Sequence, residues 1–507
     1  MFATEAHKKH LWKKYSKIFK VLLFAPLIIY CGERSPIAFD EGYYILQSKW
    51  ILLTDDWISP MYWGDLNLDR TIGVQFLIAL SQKIFGKNDI AIYFPTFLAG
   101  IIMLISTAEI HKYLIHKKNQ IISLLILSTT FLWINYFHMA TQDIIFASII
   151  NVGILVTIKA YKTKKDFYFF FSGFWIGLAF MLKTYLVAIP FLAILPFLIK
   201  TKIIRNKLFW IGAFIGFSPF LIWGYKIILN YGLENFSGLY SKLLILSKNN
   251  NFTNPFYYYL WNLPINTLPW SIFSLIGFLN LLKSKNKISY YFLFQYPLFI
   301  MILLSIFSTK TPYYPIQILP IISINAYLGL IFVLKNKNIF STIFNKLVFK
   351  VFPLILLLLL LYLNFHNQFF NIENSLKLIL IISLSLSLTS WFLAGQVRYL
   401  KNKLLLIILG PYFLISTIVQ KGFLNDRSKD LRIASEEIIE KEKLYNKKVE
   451  FIKTGPRDEE ASSKLIRIAI FMPNIGEGLN SMEELKRNQY AWTTIPNQEI
   501  ITQNKFE

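Results

Sequence analysis

Seven ionisable side chains stand beside apolar runs of this chain, at Asp40, Glu41, Asp69, Arg70, Asp143, Lys183 and Lys310. Charge at the edge of hydrocarbon is costly, so such groups have a partner or a task. Asp40-Glu41, in Phe39-Asp-Glu-Gly-Tyr-Tyr, follows the first apolar run. A carboxylate there can take a proton from a hydroxyl as general base, and the same Asp can cap the helix that follows. Asp69-Arg70 opens a later mixed stretch. The Arg fork matches phosphate oxygens, and the pair also fits a local ion pair or a headgroup contact. Asp143, in Ala140-Thr-Gln-Asp, stands at the mouth of a span, as helix cap or site acid. Lys183, in Met181-Leu-Lys-Thr-Tyr, is the one base at a tight turn between two apolar runs. Lys310 precedes a Pro-bounded turn in Ser308-Thr-Lys-Thr-Pro-Tyr-Tyr-Pro. An ammonium on a rigid turn at headgroup depth suits a lipid phosphate, and either lysine also fits a snorkelling anchor.

Other chemistries have less support. His138 lies near Asp143, but no HExxH or other closed ligand set is present. No metal ligand is assigned, and a divalent cation stays open as an addition. A Gly-rich phosphate loop is missing, which leaves a soluble nucleotide donor without support. Cys31 is the only cysteine, so no intramolecular disulfide forms.

The elements that must hold these residues are membrane spans. The chain has 507 residues, 55% hydrophobic and 16% charged, against roughly 45–50% apolar and about 25% charged in soluble domains. Its apolar residues come in blocks, such as 351–365 and 376–393, and blocks of about 18 residues cross a bilayer. The net charge of +24 sits in short Lys/Arg clusters between those blocks. That is the positive-inside pattern, whereas a nucleic-acid reader gathers its charge on one soluble face. Alternating the loops by charge gives thirteen spans, at about 18–31, 90–112, 120–137, 144–160, 167–182, 185–199, 208–229, 264–282, 289–307, 313–334, 351–365, 376–396 and 404–420. The N-terminus is expected in the cytoplasm, with the first span retained.

The first outer loop carries seven acids against three bases between residues 33 and 70. Stretches 43–53 and 72–85 within and after it mix apolar and polar residues, as interfacial helices do. Residues 1–420 are thus expected to form an all-α polytopic membrane domain. Residues 421–507 are expected to form a small α/β domain outside the membrane, with an amphipathic helix at 435–443 and strands at 449–452 and 466–471.

The order of these features resembles a known family. Phe39-Asp-Glu-Gly-Tyr-Tyr followed by Asp55-Asp-Trp-Ile-Ser-Pro is similar to the DE-x-x-Y and GDW-x-x-P pattern of GT-C membrane glycosyltransferases. The resemblance is to the ArnT-like undecaprenyl-phosphate aminoarabinose transferases and the related protein O-mannosyltransferases. Gly177 to Lys183, Asn254 to Leu260, Leu268-Pro-Trp-Ser and Ser308 to Pro320 continue the likeness in order. Asp69-Arg70-Thr71 departs from the family's Glu-Lys-Pro, and no residue matches its metal-binding histidine.

That resemblance implies a GT-C fold in the inner membrane and a sugar donor carried on a polyprenyl phosphate. The acceptor would be a glycolipid, protein or glycan, with membrane lipids around it and no nucleic acid. It also implies catalytic Asp40, Glu41 and Asp143, with Asp40 as the base and inversion at the anomeric carbon. Arg70, Lys183 and Lys310 would hold the donor phosphate, and Asp69, Tyr43, Tyr313 and Tyr314 would line the pocket. Two other readings remain. A transporter or flippase of lipid-linked glycans would place polar residues near the bilayer midplane, and a glycan polymerase would carry a larger acceptor loop.

Overall fold

The computed structural model describes residues 21–115, 119–237, 239, 253–283, 287–365, 374–452, 459–486 and 489–493. Its apolar runs are helices, because a lipid-embedded backbone must satisfy its own N–H and C=O groups. Among the described residues, nine helices are long and apolar enough to cross a membrane, or ten if one bent pair is a single span. The charge pattern predicts thirteen crossings, and three places account for the difference. The first run begins outside the described residues. The stretch 264–282 falls on two shorter helices, Tyr258–Asn266 and Trp270–Asn280. The third place is Asp166–Lys200, one apolar stretch of 35 residues that turns back on itself.

Its reversal follows from glycine packing. The helices Asp166–Lys183 and Lys207–Phe236 each carry a Gly-x-x-x-Gly step, at Gly173 and Gly177 and at Gly212 and Gly216. Small residues at this spacing let helix backbones touch. A Cβ on Gly173 would collide with the Phe209 carbonyl, and one on Gly216 with the Phe174 carbonyl. Residue numbers rise together along the contact, so the two helices are parallel and the chain between them must return. Ala188–Lys200 is that return limb, since the Phe197 ring lies 5.6 Å from Tyr161, near the end where the outgoing limb began. Lys183 is the last residue of the outgoing limb, and Thr184 breaks the helix with φ 42°. The expected tight turn at Lys183 is therefore the tip of a hairpin.

The stretch read as one span at 120–137 is bent by 70° between Gln120–Ser128 and Phe131–Phe137. Ser128, Thr129 and Thr130 donate their hydroxyls to carbonyls of the preceding turn at 2.6–2.9 Å, an alternative to regular helix bonding that bends helices. The bend turns Tyr136 toward the same end of the bundle as Asp143.

Both expected loop helices are present, as Tyr43–Thr54 and Gly73–Phe85. The first is buried on several sides. Tyr44 and Ile45 join the main transmembrane core, while Leu46 and Trp50 pack with Ile439, Phe451, Leu465 and Met472 of the C-terminal segment. Lys49 fixes the same contact by donating its ammonium to the carbonyls of Ala469, Ile470 and Met472. The C-terminal segment has helices Lys429–Lys441 and Glu459–Phe471 and two parallel strands, Val449–Phe451 and Tyr490–Trp492. The strand expected at 466–471 is the last part of a helix. Its β-branched run reads as a strand locally, but the segment lies between two cores: Leu465, Ile468 and Met472 face one, and Ile466 and Ile470 the other.

Candidate active site

A cavity of about 900 Å³ opens where the first loop, the hairpin tip, the bent helix pair, the Lys310 turn and the C-terminal segment meet. Eight of the ten sequence-predicted residues line it: Asp40, Asp69, Arg70, Asp143, Lys183, Lys310, Tyr313 and Tyr314. Glu41 and Tyr43 stand just behind the wall.

Asp40 lies in a single wide turn, Ala38–Gly42, closed by Gly42 N–H donating to the Ile37 carbonyl at 2.8 Å. Such turns recur at functional sites. Gly42 is required by packing, because a Cβ there would lie 2.9 Å from Ile466 and 3.1 Å from the Ile37 carbonyl. The carboxyl of Asp40 opens to cavity water yet is ringed by protein. Burial, and then the Asp143 charge, push its pKa up, against the opposing pull of Arg70 and Lys183. A raised carboxyl pKa moves toward the range useful to a general base.

Glu41 points the other way. It is fully buried and accepts from Ala140 N–H at 2.9 Å and Ile37 N–H at 3.2 Å. Burial pushes its pKa up, opposed first by the Arg427 charge and then by the Ala140 N–H. These bonds tie the Asp40 turn to the chain just before Asp143.

Arg70 donates from both Nε and Nη2 to the Asp69 carboxylate at 3.0–3.1 Å. Its guanidinium lies 4.7 and 4.9 Å from the ring centres of Tyr43 and Tyr44, so Tyr43 supports the Arg from behind and itself stacks on Tyr62 at 4.6 Å. Lys183 and Asp143 form a buried ion pair at 2.5 Å, with side chains 5% and 7% exposed. Tyr313 and Tyr314 stand over the Lys183 ammonium, each ring centre 5.5 Å away. Lys310 donates to the carbonyls of Asn254 at 2.9 Å and Phe307 at 2.5 Å, and burial lowers its pKa. Asn254 returns a bond to the Lys310 carbonyl at 3.1 Å, which locks the turn.

Several lining residues were not among the expected site residues, although Tyr44, Tyr185 and Tyr258 stand within the quoted motifs. Tyr44, Tyr136, Tyr185 and Tyr258 supply aromatic wall, and Arg427 and Arg467 supply charge. The hydroxyls of Thr141 and Thr311 also face this region, buried and with no hydrogen-bond partner among the described residues. Arg427 follows the last span at the same end of the bundle, a position the charge pattern marks. Arg467 carries no such signal, since the run around it reads as a strand. Among the described residues no three His, Cys, Asp or Glu side chains cluster to hold a metal ion. His138 turns its Nε2 to the Leu27 carbonyl at 2.9 Å.

The chain is similar to several known proteins. Residues 69–223 match the family described as dolichyl-phosphate-mannose-protein mannosyltransferase. A protein of Aquifex aeolicus is 25% identical over 371 residues, which is 68% of this chain and 73% of that one. The undecaprenyl phosphate-alpha-4-amino-4-deoxy-L-arabinose arabinosyl transferase of Wigglesworthia glossinidia brevipalpis is 27% identical over 336 residues, 61% of this chain and 57% of that enzyme. The fold matches the crystal structure of ArnT from Cupriavidus metallidurans bound to undecaprenyl phosphate, with a TM-score of 0.73 at 13% identity, covering 91% of this chain and 86% of that one.

Proposed function

We propose that this chain is an ArnT-like GT-C membrane glycosyltransferase, a reading supported by those likenesses, and that it moves a sugar from a polyprenyl-phosphate donor to an acceptor at the extracytoplasmic face of the inner membrane. The observation that carries the reading is the meeting in one cavity of Asp40 and Arg70, from the first loop, with Lys183, from a hairpin tip more than a hundred residues further along the chain. Three carboxylates and five cations line that cavity, a positive balance suited to an anionic ligand.

In this reading the donor phosphate lies against Arg70, Lys183 and Lys310. Asp40 accepts the proton of the acceptor hydroxyl as its oxygen attacks the anomeric carbon. The carbon–oxygen bond to the phosphate breaks in the same displacement, so configuration inverts, and the polyprenyl phosphate leaves with the electron pair. Fixed cations at the place where charge develops on a leaving group act mainly in the transition state. The Lys183–Asp143 pair adds a requirement: the phosphate must draw the ammonium from a carboxylate that already holds it. Asp143, once released, faces the acceptor side. Tyr313 and Tyr314 shield the exchange from water and offer faces to a sugar ring.

Residues 1–420 act in this account as the transferase domain. The N-terminus lies in the cytoplasm, and residues 421–507 lie outside the membrane, roofing the site. The test compares cell-envelope glycolipids and glycoproteins by mass spectrometry with the gene, without it, and with Asp40→Asn. A species bearing an added sugar should appear only with the natural gene, and the variant should lose it by roughly 10²–10⁴-fold while still inserting. Full transfer by the variant removes Asp40 as base. Identical envelopes with and without the gene remove the transferase reading.

A further inference from the structure

The cavity has a second cationic group that the transfer chemistry above leaves unused. Arg427 and Arg467 line it from the C-terminal segment, together with Ser428 and Ser463. Arg467 lies on Glu459–Phe471, the helix that packs on Gly42 and so runs beside the Asp40 turn. Its guanidinium donates to the Ser463 carbonyl and hydroxyl at 3.1 Å each and to the Ser428 hydroxyl at 3.2 Å. Ser428 in turn donates to the Pro36 carbonyl at 2.8 Å, one residue before the turn's first bond. Arg427 donates to the Asn135 carbonyl and side-chain oxygen at 3.3 and 2.8 Å and to the Leu424 carbonyl at 3.1 Å.

Every one of those acceptors is neutral. Neither guanidinium is ion-paired to a carboxylate among the described residues, although acids stand nearby in the chain. Asp426 and Glu436 both go to Arg432, at 3.1 and 3.2 Å. On the other wall the arrangement differs, with Arg70 on Asp69 and Lys183 on Asp143. Arg427 lies near enough to Glu41 to lower its pKa, but the hydrogen bonds of both arginines go to neutral groups, and the guanidinium fork suits phosphate or carboxylate oxygens.

We propose that Arg427 and Arg467, with the hydroxyl of Ser463, form an anion subsite separate from the donor-phosphate cations, and that it holds a phosphate or carboxylate on the acceptor. Assigning that anion to the acceptor rests on the transferase reading; the subsite itself does not. The subsite positions the acceptor from the C-terminal side, so that its hydroxyl lies toward Asp40 while the donor occupies the Arg70 and Lys183 side. It gives residues 421–507 a direct part in choosing the acceptor.

The test uses the full chain in lipid nanodiscs saturated with undecaprenyl phosphate, the donor-side probe. Inorganic phosphate and decyl phosphate are then titrated and binding is read by calorimetry. The natural protein should bind phosphate with undecaprenyl phosphate in place. Arg427→Gln and Arg467→Gln should each weaken that binding roughly tenfold or more, Arg467→Lys less so, and undecaprenyl phosphate affinity should stay unchanged in all three. Tighter binding of decyl phosphate than of inorganic phosphate assigns the acceptor anion to a lipid, and the reverse assigns it to a water-soluble acceptor. Unchanged phosphate affinity in both Gln variants overturns the subsite, as does failure of the saturated natural protein to bind phosphate. Loss of undecaprenyl phosphate binding in variants whose unfolding temperature is unchanged also overturns it, because one shared anion site would then be enough. A natural protein that ignores undecaprenyl phosphate sinks the donor reading alone, since phosphate can be titrated without it.

Discussion

The two walls of the cavity hold their cations differently. On the wall built by the first loop and the spans, Arg70 leans on Asp69 and Lys183 on Asp143. On the wall built by the C-terminal segment, Arg427 and Arg467 are held by carbonyls, hydroxyls and an amide oxygen. The Lys183 ammonium, buried beside hydrocarbon, needs the Asp143 carboxylate to offset part of its desolvation. A half-exposed arginine at the water-facing roof does not. Arg70 and Lys183 therefore rest neutralised and show their charge only as a ligand displaces their acids, while Lys310 beside them is held by the Asn254 and Phe307 carbonyls. The roof arginines hydrogen-bond only neutral groups, and Glu41 behind the turn is the acid that feels the Arg427 charge.

The sharpest way to break this contrast is to unpair the buried wall. Lys183→Gln leaves Asp143 buried beside a neutral amide, and removing one partner of a buried pair costs about 3–5 kcal/mol. Thermal unfolding in detergent should show a large fall for Lys183→Gln, and adding Asp143→Asn should restore much of it. Transfer should stay lost in the double variant, because the phosphate has lost its lysine. Recovery of transfer together with stability would mean that the pair is only structural.

A smaller effect separates the two neighbouring acids. Glu41 accepts two backbone N–H groups behind the wall, so Glu41→Gln exchanges one acceptor oxygen for a donor. The expected cost is about 1–3 kcal/mol of stability, with any loss of transfer explained by the fraction unfolded. A loss of kcat in fully folded protein would return Glu41 to the chemistry, beside Asp40.

Glu41 also shows where sequence reading reaches its limit. Asp40 and Glu41 are adjacent, both acidic and both after the first apolar run, so composition cannot say which one faces the cavity. The turn geometry decides, and a wide five-residue turn has no composition signature. The sidedness of Asp69-Arg70, Asp143, Lys183 and Lys310 was legible for a simpler reason. Lysine clusters mark the opposite ends of the spans, and each acid or base that breaks that rule stands out. Tyr43 could be placed on a helix but not on a face, since Tyr43–Thr54 is covered from several directions and has no single apolar stripe. Arg467 was hidden because the run from Ile466 to Phe471 is apolar on two faces, and a helix between two cores loses the periodicity that distinguishes it from a strand. The hairpin at Lys183 was visible as two short apolar runs with a base between them, while the bend at Thr129 was not, because hydroxyls bonded to their own helix leave the run apolar.

The smallest effect, and the most specific, lies in the pH profile. In the proposed mechanism Asp40 is a base only when ionised, and burial with the Asp143 charge raises its pKa. Transfer should therefore be full at higher pH and fall as pH drops through that raised value, which lies above the ordinary aspartate range of about 3.9. Asp143→Asn removes the like charge and leaves the Lys183 ammonium without its counter-ion. Both changes favour the ionised form of Asp40, so the acid limb of kcat/KM should move to lower pH even if the maximal rate falls. Glu41→Gln should leave the limb where it is, because Glu41 is not among the groups that shift Asp40. A limb that stays put in Asp143→Asn and moves in Glu41→Gln would assign the titrating base to the hidden acid, and the two walls would then have to be redrawn around it.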